Sequence, residues 1–168
     1  EKWDEEFDVV VIGSGFAGLA AAIEAKLAGR SVAVFEKMRN PGGNSIINGG
    51  IMGVSGTPMQ KKEGIEDSPE LMMKDMLREG LGLNHPDKVK KLCEEALPTW
   101  QWTIDELGVE WNRDRVSQEG GHSVPRCAII KNGSGSGIVL KEIEKLKTLG
   151  VPIRTRVLME RIIRDADG

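Results

Sequence analysis

The feature that most constrains this chain is the hexapeptide Gly13-Ser14-Gly15-Phe16-Ala17-Gly18, set between an apolar run and an alanine-rich stretch. Upstream, Phe7 to Ile12 is short, apolar and bounded by charge and glycine, the pattern of a buried parallel strand. Downstream, Ala17 to Ala28 places Leu19, Ile23 and Leu27 at helical spacing and meets a stop at Gly29. A second apolar run, Ser31 to Phe35, ends at Glu36. Strand, tight turn, helix and strand in this order make a βαβ unit.

In that setting the G-x-G-x-x-G pattern has a physical reading. Gly13 permits the tight turn, Gly15 lets a pyrophosphate approach the backbone, and Gly18 lets the helix pack against the strand. The helix N-terminus adds N–H donors and the positive end of its dipole. Glu36 closes the second strand, where a carboxylate accepts hydrogen bonds from ribose hydroxyls. The competing reading is a glycine turn in an unrelated α/β protein with a merely solvated Glu36. A dinucleotide site explains strand, turn, helix and acid together.

Composition narrows the class further. Hydrophobic residues at 39% and charged residues at 29% describe a chain able to build a core, and 168 residues suffice for one ordinary domain. The 21 glycines follow no collagen period, so many backbone positions require positive φ or close approach to something. A net charge of -3 argues against nucleic acid as a partner. No apolar run approaches the roughly 18 residues of a membrane span. Cys93 and Cys127 form no C-x-x-C pair, which argues against a zinc site or a redox dithiol, and no metal is expected. The chain opens on Glu1 and closes on Asp165-Ala166-Asp167-Gly168, half of a turn, which reads as an excised or processed piece.

The remaining expectations are coarser. Arg39 to Gly56 is a glycine-dense loop without helical period. Leu71 to Leu77 is helical, and Val89, Leu92, Cys93, Ala96 and Leu97 form an amphipathic stripe. Pro98 is expected to open a further helix with Trp100, Ile104 and Leu107, stopped by Gly108. Val109 to Trp111 suggests a short strand, Arg113 to Gly137 is mostly loop, and Ile138 to Leu149 is a helix stopped by Gly150. Val151 to Arg164 reads as extended. His85 before Pro86 reads as a helix-start residue, Trp100 and Trp102 as packing, and Lys88, Lys90 and Lys91 as a wet helix face.

The continuation past Glu36 selects the dinucleotide. A nicotinamide dehydrogenase would follow its acid with another regular helix and strand. Here a second glycine-rich loop runs through Pro41-Gly42-Gly43-Asn44-Ser45 to Asn48-Gly49-Gly50, suited to a long flat ligand over exposed backbone N–H groups. Together, Asp8 to Gly18, Glu36-Lys37, Gly42 to Ser45 and Gly49-Gly50 resemble the FAD-binding N-terminal part of the fumarate reductase and succinate dehydrogenase flavoprotein family. Soluble flavocytochrome fumarate reductases, L-aspartate oxidases, urocanate reductases and 3-ketosteroid dehydrogenases belong to that family. Glu119-Gly120-Gly121-His122-Ser123-Val124-Pro125-Arg126 is similar to the E-G-G-H-S-x-x-R segment of aspartate oxidases and some fumarate reductases.

The resemblance implies an α/β, Rossmann-like FAD-binding domain over residues 1–168, with a central parallel sheet, a helical insertion around 69–107 and an absent C-terminal part. It places the pyrophosphate on Gly13, Ser14, Gly15, Ala17 and Gly18 and the adenosine ribose on Glu36. Lys37, Gly43, Asn44 and Ser45 would line the path to the flavin, with Asn48, Gly49 and Gly50 at the isoalloxazine ring and Val157 at the adenine. With no histidine between Glu36 and Gly56 to carry a covalent link, it implies non-covalent FAD. Glu119, His122 and Arg126 are the candidate catalytic or substrate-side residues. The alternative is that Gly120-Gly121 makes a turn while His122, Ser123 and Arg126 satisfy backbone carbonyls. The implied function is hydride transfer from reduced FAD to an unsaturated dicarboxylate, a small-molecule substrate. Two alternatives stay open: oxidation of an amino acid or steroid on the same flavin bed, or a non-catalytic fragment or one chain of a split flavoprotein. The implied partners are an electron-donor protein or the missing C-terminal domain.

Overall fold

The computed structural model describes residues 3–164, so the turn expected at Asp165–Gly168 lies outside the described residues. In chain order the elements are β1 (Val9–Ile12), α1 (Phe16–Leu27), β2 (Val32–Glu36), a short 3-10 turn (Gly43–Ile46) and β3 (Ile51–Gly53). They continue with α2 (Pro58–Glu63), α3 (Pro69–Glu79), α4 (Pro86–Asp105), β4 (Cys127–Ile129), α5 (Ser136–Thr148) and β5 (Ile153–Thr155). The chain divides into two compact units, Glu1–Asn48 with Ile138–Gly168, and Gly49–Gly137.

The first unit is built on a parallel sheet in the order β1-β2-β5, with Val9 opposite Val32 and Val34 opposite Ile153. Central β2 is the most buried strand, and Val32, Ala33 and Val34 join Leu19, Ala22 and Ile23 of α1 in the core. Those three α1 residues recur at i, i+3 and i+4, so one face of an alanine-rich helix meets the sheet. Val139 and Leu146 of α5 are also fully buried. The strand expected at Phe7–Ile12 forms as β1 but is not buried throughout, since Val10 and Ile12 are about half exposed. Among the described residues β1 pairs in this sheet only with β2.

The second unit holds the antiparallel ribbon β3-β4, with Ile51 opposite Ile129 and Gly53 opposite Cys127. Both strands lie in stretches read from sequence as loop, because three residues are too short to show a period. Each helix start is chemically marked. Thr57 and Gln60 form a reciprocal capping box on α2, and the Ser68 hydroxyl accepts from the Leu71 amide at the start of α3. Pro58, Pro69 and Pro86 occupy the first turns, where no N–H is missed. Against α4, Met72, Val89 and Cys93 form a small core with Met73, Met76 and Leu77 around it.

Pro98 corrects the sequence reading. It does not open a new helix but lies inside the single α4. Pro98 is exposed, so the carbonyl that loses its partner is left to water. The buried stripe Val89, Cys93, Ala96, Trp100 and Thr103 meanwhile continues across it without a change of period, and its packing holds the helix together. Trp100 is fully buried beside Trp111, ring centroids 6.2 Å apart, and the Arg113 guanidinium lies 5.0 Å from the Trp100 ring. The Trp111 indole donates to Thr103 Oγ1 at 2.9 Å. Val109–Trp111 forms a single bridge, Trp111 to Ile130, rather than a strand. His85 is the helix-start residue expected but makes no side-chain cap. Lys90 and Lys91 pair with Glu94 and Glu95 on the wet face of α4. No helix among the described residues is long and apolar enough to cross a membrane.

Candidate functional site

In the first unit the βαβ turn is tied together by one carboxylate. Glu36 Oε2 accepts from the Ser14 amide at 3.0 Å and the Ser14 hydroxyl at 2.5 Å, and Oε1 accepts from the Met38 amide at 2.8 Å. The Ser14 oxygen in turn accepts from the Gly42 amide at 2.9 Å, which binds the second glycine loop to the first. The Ser14 hydroxyl and the Met38 amide outweigh burial and hold the Glu36 carboxyl below its ordinary value, so it is ionised at neutral pH. Beyond β5, Val157 donates its amide to the Glu36 carbonyl and Arg156 donates to that of Met38, drawing this segment to the same loop.

The glycines of the motif do different things. Gly13 has φ +93°, a conformation that side chains rarely adopt, and its amide donates to the Phe35 carbonyl. A Cβ on Gly18 would fall 2.2 Å from the Gly13 carbonyl oxygen, so the third glycine is required by the packing of α1 against its own turn. Gly15 is the N-cap of α1 and offers no capping side chain. The Ser45 hydroxyl accepts from the Phe16 amide at 3.1 Å. The first-turn amides of Ala17 and Gly18 have no acceptor within the helix and add to the positive end of its dipole.

These elements border a crevice of about 930 Å³. The structure brings Gly13, Ser14, Gly15, Glu36, Lys37, Gly43, Asn44 and Val157 together on its lining. Ala17, Gly18 and Ser45 stand off the lining, with Ser45 acting on α1. The Asn48 side chain donates to the Ser45 carbonyl at 2.6 Å. Gly49 and Gly50 begin the second unit, where Gly50 has φ +64° and a Cβ would lie 2.2 Å from Ile130 Cγ2. Met38, Arg39, Asn40, Pro41, Leu158 and Met159 also line the crevice and carried no signal in the sequence beyond lying next to the motif.

The second unit buries a charged cluster. Arg126 is 0% exposed. Its Nε and Nη2 form a fork on Asp67 at 3.0 and 2.9 Å, while Nη1 reaches Asp75 Oδ2 at 2.7 Å and His122 Nδ1 at 3.0 Å. Asp75 Oδ2 also accepts from the Ser123 amide and hydroxyl, and Oδ1 from Arg78. Asp67 is held further by Gln60 Nε2 at 2.7 Å and the Ser68 amide. Burial pushes the Asp75 carboxyl up, but the Ser123 and Arg126 bonds overcome it and hold it well below the carboxylate range. Burial likewise lowers the Arg126 guanidinium, and the two aspartates reverse this to a net rise. Burial first, and the Arg126 charge second, push His122 below its ordinary value. The thiols of Cys93 and Cys127, both buried and free, are pushed up by burial.

The partners of Arg126 correct one expectation. Its hydrogen bonds go to carboxylates, because a fully buried guanidinium needs countercharge that carbonyls lack. Asp67 and Asp75 escaped the sequence reading. A usable signal was present: Met72, Asp75 and Met76 share one helical face, and an acid between apolar residues on such a face calls for a buried partner. His122 lines a second cleft of about 550 Å³, bordered by Met52, Met72, Met76 and Leu92, whereas Glu119 is exposed and accepts from the Ser117 hydroxyl.

A glycine turn that opens a helix on a glycine N-cap, between parallel strands and closed by an ionised acid, defines a dinucleotide-binding α/β domain. Residues 8–168 match the FAD binding domain family, and the chain belongs to that family. It is 42% identical over 168 residues to the acrylate reductase flavoprotein subunit of Shewanella woodyi, covering 99% of this chain and 33% of that protein. It is 41% identical over 167 residues to the urocanate reductase of Eggerthella lenta, covering 97% of this chain and 27% of that one. The solved open conformation of a flavocytochrome c3 fumarate reductase superposes with a TM-score of 0.88 at 31% identity, covering 97% of this chain and 29% of that one. The chain thus spans about a third or less of the length of the relatives it matches.

Proposed function

We propose that this chain is the FAD-binding part of a flavin-dependent reductase of unsaturated carboxylic acids, holding its cofactor without a covalent bond. The observation that carries the reading is the crevice of the first unit, where the glycine main chain meets the start of α1, whose N-cap Gly15 offers no side chain. The residues present fit the group. Gly13, Gly15 and Gly43 leave the backbone bare along the lining, and α1, whose N-terminus is the positive end of its dipole, starts directly after Gly15. Glu36, ionised by its hydrogen bonds, is placed to accept from the ribose, and Lys37, Asn44 and Val157 extend the bed on either side.

Bound FAD would supply the hydride that a polarised C=C bond accepts. The contribution of this chain is to bind and orient. Because the family match runs from residue 8 to residue 168, both units are taken as one FAD-binding domain, with the helices around 69–107 inserted in it. The names of the relatives, which reduce acrylate, urocanate and fumarate, support a substrate in which a carboxylate is conjugated to an alkene. The proton that completes the reduction, and the route of electrons into the flavin, are assigned to the portion of the parent protein that relatives carry beyond this length, or to a partner protein.

The test is retention and turnover of flavin in the full-length protein. The wild type is expected to purify with flavin absorption, to be bleached by dithionite and to be reoxidised by acrylate, urocanate or fumarate. Gly15→Val blocks the approach to the backbone and abolishes retention; stoichiometric FAD in that variant overturns the assignment. Glu36→Ala weakens FAD binding by about 1–3 kcal/mol, as expected for losing one charged acceptor, read as a flavin fluorescence titration. An unchanged dissociation constant moves the ribose elsewhere.

A further inference from the structure

We propose that Arg126 fixes His122 as the neutral Nε2–H tautomer, so that His122 serves the cleft of the second unit as a permanent hydrogen-bond donor and not as a proton-donating acid. A guanidinium carries only N–H groups and accepts nothing. With Nη1 of Arg126 3.0 Å from His122 Nδ1, that ring nitrogen must offer its lone pair. A neutral imidazole with an unprotonated Nδ1 carries its hydrogen on Nε2. Protonating Nδ1 would set two N–H groups head to head.

Neither partner is free to turn away. Three other bonds to Asp67 and Asp75 hold the guanidinium. The backbone of His122 is tied by its amide to the Glu119 carbonyl and by its carbonyl to Gln118 Nε2 at 2.6 Å. Several charges face this region. Asp67, Asp75 and Glu119 favour an imidazolium, but Arg126 and Ser123 already engage the aspartates and Ser117 engages Glu119. Glu79 lies against Gly121, and Arg78 donates to the Gly121 carbonyl. Glu95 faces the same cleft from α4. Burial and the Arg126 charge prevail, and His122 is displaced toward its neutral form.

On the other side of the ring, Nε2 has no hydrogen-bond partner among the described residues, and His122 lines the cleft of about 550 Å³. The ring stands beside Gly53, whose missing Cβ would lie 3.7 Å from Nε2. The cleft therefore offers a fixed N–H beside the apolar side chains of Met72, Met76 and Leu92, with Glu79 and Glu95 also on its lining. That chemistry suits a carbonyl oxygen carried on an apolar body. Arg126 is a positioning residue that acts through His122. If the reductase reading holds, the proton added to substrate comes from a group other than His122; this consequence rests on that reading, whereas the tautomer does not.

The experiment is a two-bond proton–nitrogen correlation spectrum of the full-length protein labelled with ¹⁵N-histidine. The signals lost in His122→Gln assign the ring. From about pH 8 down to about pH 5.5, across the ordinary histidine range, the expected pattern is a pyridine-type Nδ1 and a pyrrole-type Nε2 with no conversion to imidazolium. A pyrrole-type Nδ1, or an imidazolium pattern within that range, overturns the proposal. In Arg126→Gln, whose amide can donate or accept, a mixture of tautomers is expected; an unchanged single tautomer overturns the role of Arg126. With acrylate as substrate, His122→Gln is expected to slow turnover by about 10-fold or less, about 1.4 kcal/mol at most, with both limbs of the pH–rate profile unmoved. A displaced limb overturns the exclusion of His122 as the acid. If no acrylate reduction occurs in any variant, the reductase reading fails while the nitrogen spectrum still decides the tautomer.

Discussion

Each unit of this protein buries an acid on a helix, and the two acids end in opposite states. Asp75, on α3 of the second unit, and Glu142, on α5 of the first, are each 1% exposed. Asp75 meets the amide and hydroxyl of Ser123 and the guanidiniums of Arg126 and Arg78, and its carboxyl is held well below the ordinary range. Glu142 has an Oε2 with no hydrogen-bond partner, and burial pushes its carboxyl up to about 8. Burial is common to both, so burial does not set the charge. The partners do, because a desolvated carboxylate persists only where N–H and O–H donors or a cation replace the water it has lost.

The hardest way to break this comparison is to turn Asp75 into a second Glu142. Arg126→Ala leaves Asp67 and Asp75 buried without their cation. A loss of about 3–5 kcal/mol is expected, measured as denaturant unfolding monitored at Trp100 and Trp111 in the second unit. A smaller loss would mean that water or protonation rescues the pair.

The reverse experiment removes the unpartnered acid. Glu142→Leu is expected to stabilise the protein by about 1–3 kcal/mol. The pH dependence carries a definite sign. A carboxyl raised in the folded state binds a proton there that the unfolded chain has released, so its contribution to stability falls as pH climbs from the ordinary carboxylate range toward about 8. Asp75 acts oppositely: its contribution is present above the ordinary aspartate value and is lost as pH falls below it. Thermal melts should therefore show a decline from the ordinary carboxylate range up to about pH 8 that Glu142→Leu removes and an acid decline that it leaves. A decline unchanged by the substitution would show that Glu142 is not the group that titrates.

The finest probe is Ser123→Ala, which takes one hydroxyl from Asp75 and leaves the Ser123 amide and Arg126 in place. About 1 kcal/mol is expected in denaturant unfolding, with an acid decline that starts at the same pH as in the wild type but is shallower and ends at higher pH. A loss as large as that of Arg126→Ala would make the hydroxyl, and not the cation, the main partner.

The first unit was far more legible than the second for a reason tied to how each site is made. The crevice at Gly13–Gly18 and Glu36 is assembled from backbone groups over a short span, and glycine spacing directly records where the backbone must turn or be approached. The Arg126 cluster joins residues 67, 75, 122, 123 and 126, drawn from a loop before α3, from α3 itself and from the segment before β4. The segment Glu119–Arg126 singled itself out, yet nothing in it names Asp67, and the alternative weighed for Arg126 gave it carbonyls rather than carboxylates as partners. Pro98 misled for a related reason: local propensity favours a break, and the buried stripe that overrides it exists only once α3 is packed against α4.

What the amino-acid order settled by itself is the turn chemistry and the class of ligand, since a glycine forced to positive φ or to a 2.2 Å approach is a demand that residue type alone can meet. Whether an acid is charged, which nitrogen of His122 holds its hydrogen, and where Arg126 finds its countercharge were decided by tertiary packing. Solvation and hydrogen bonding depend on neighbours in space, and those neighbours lie as many as 59 residues apart along the chain.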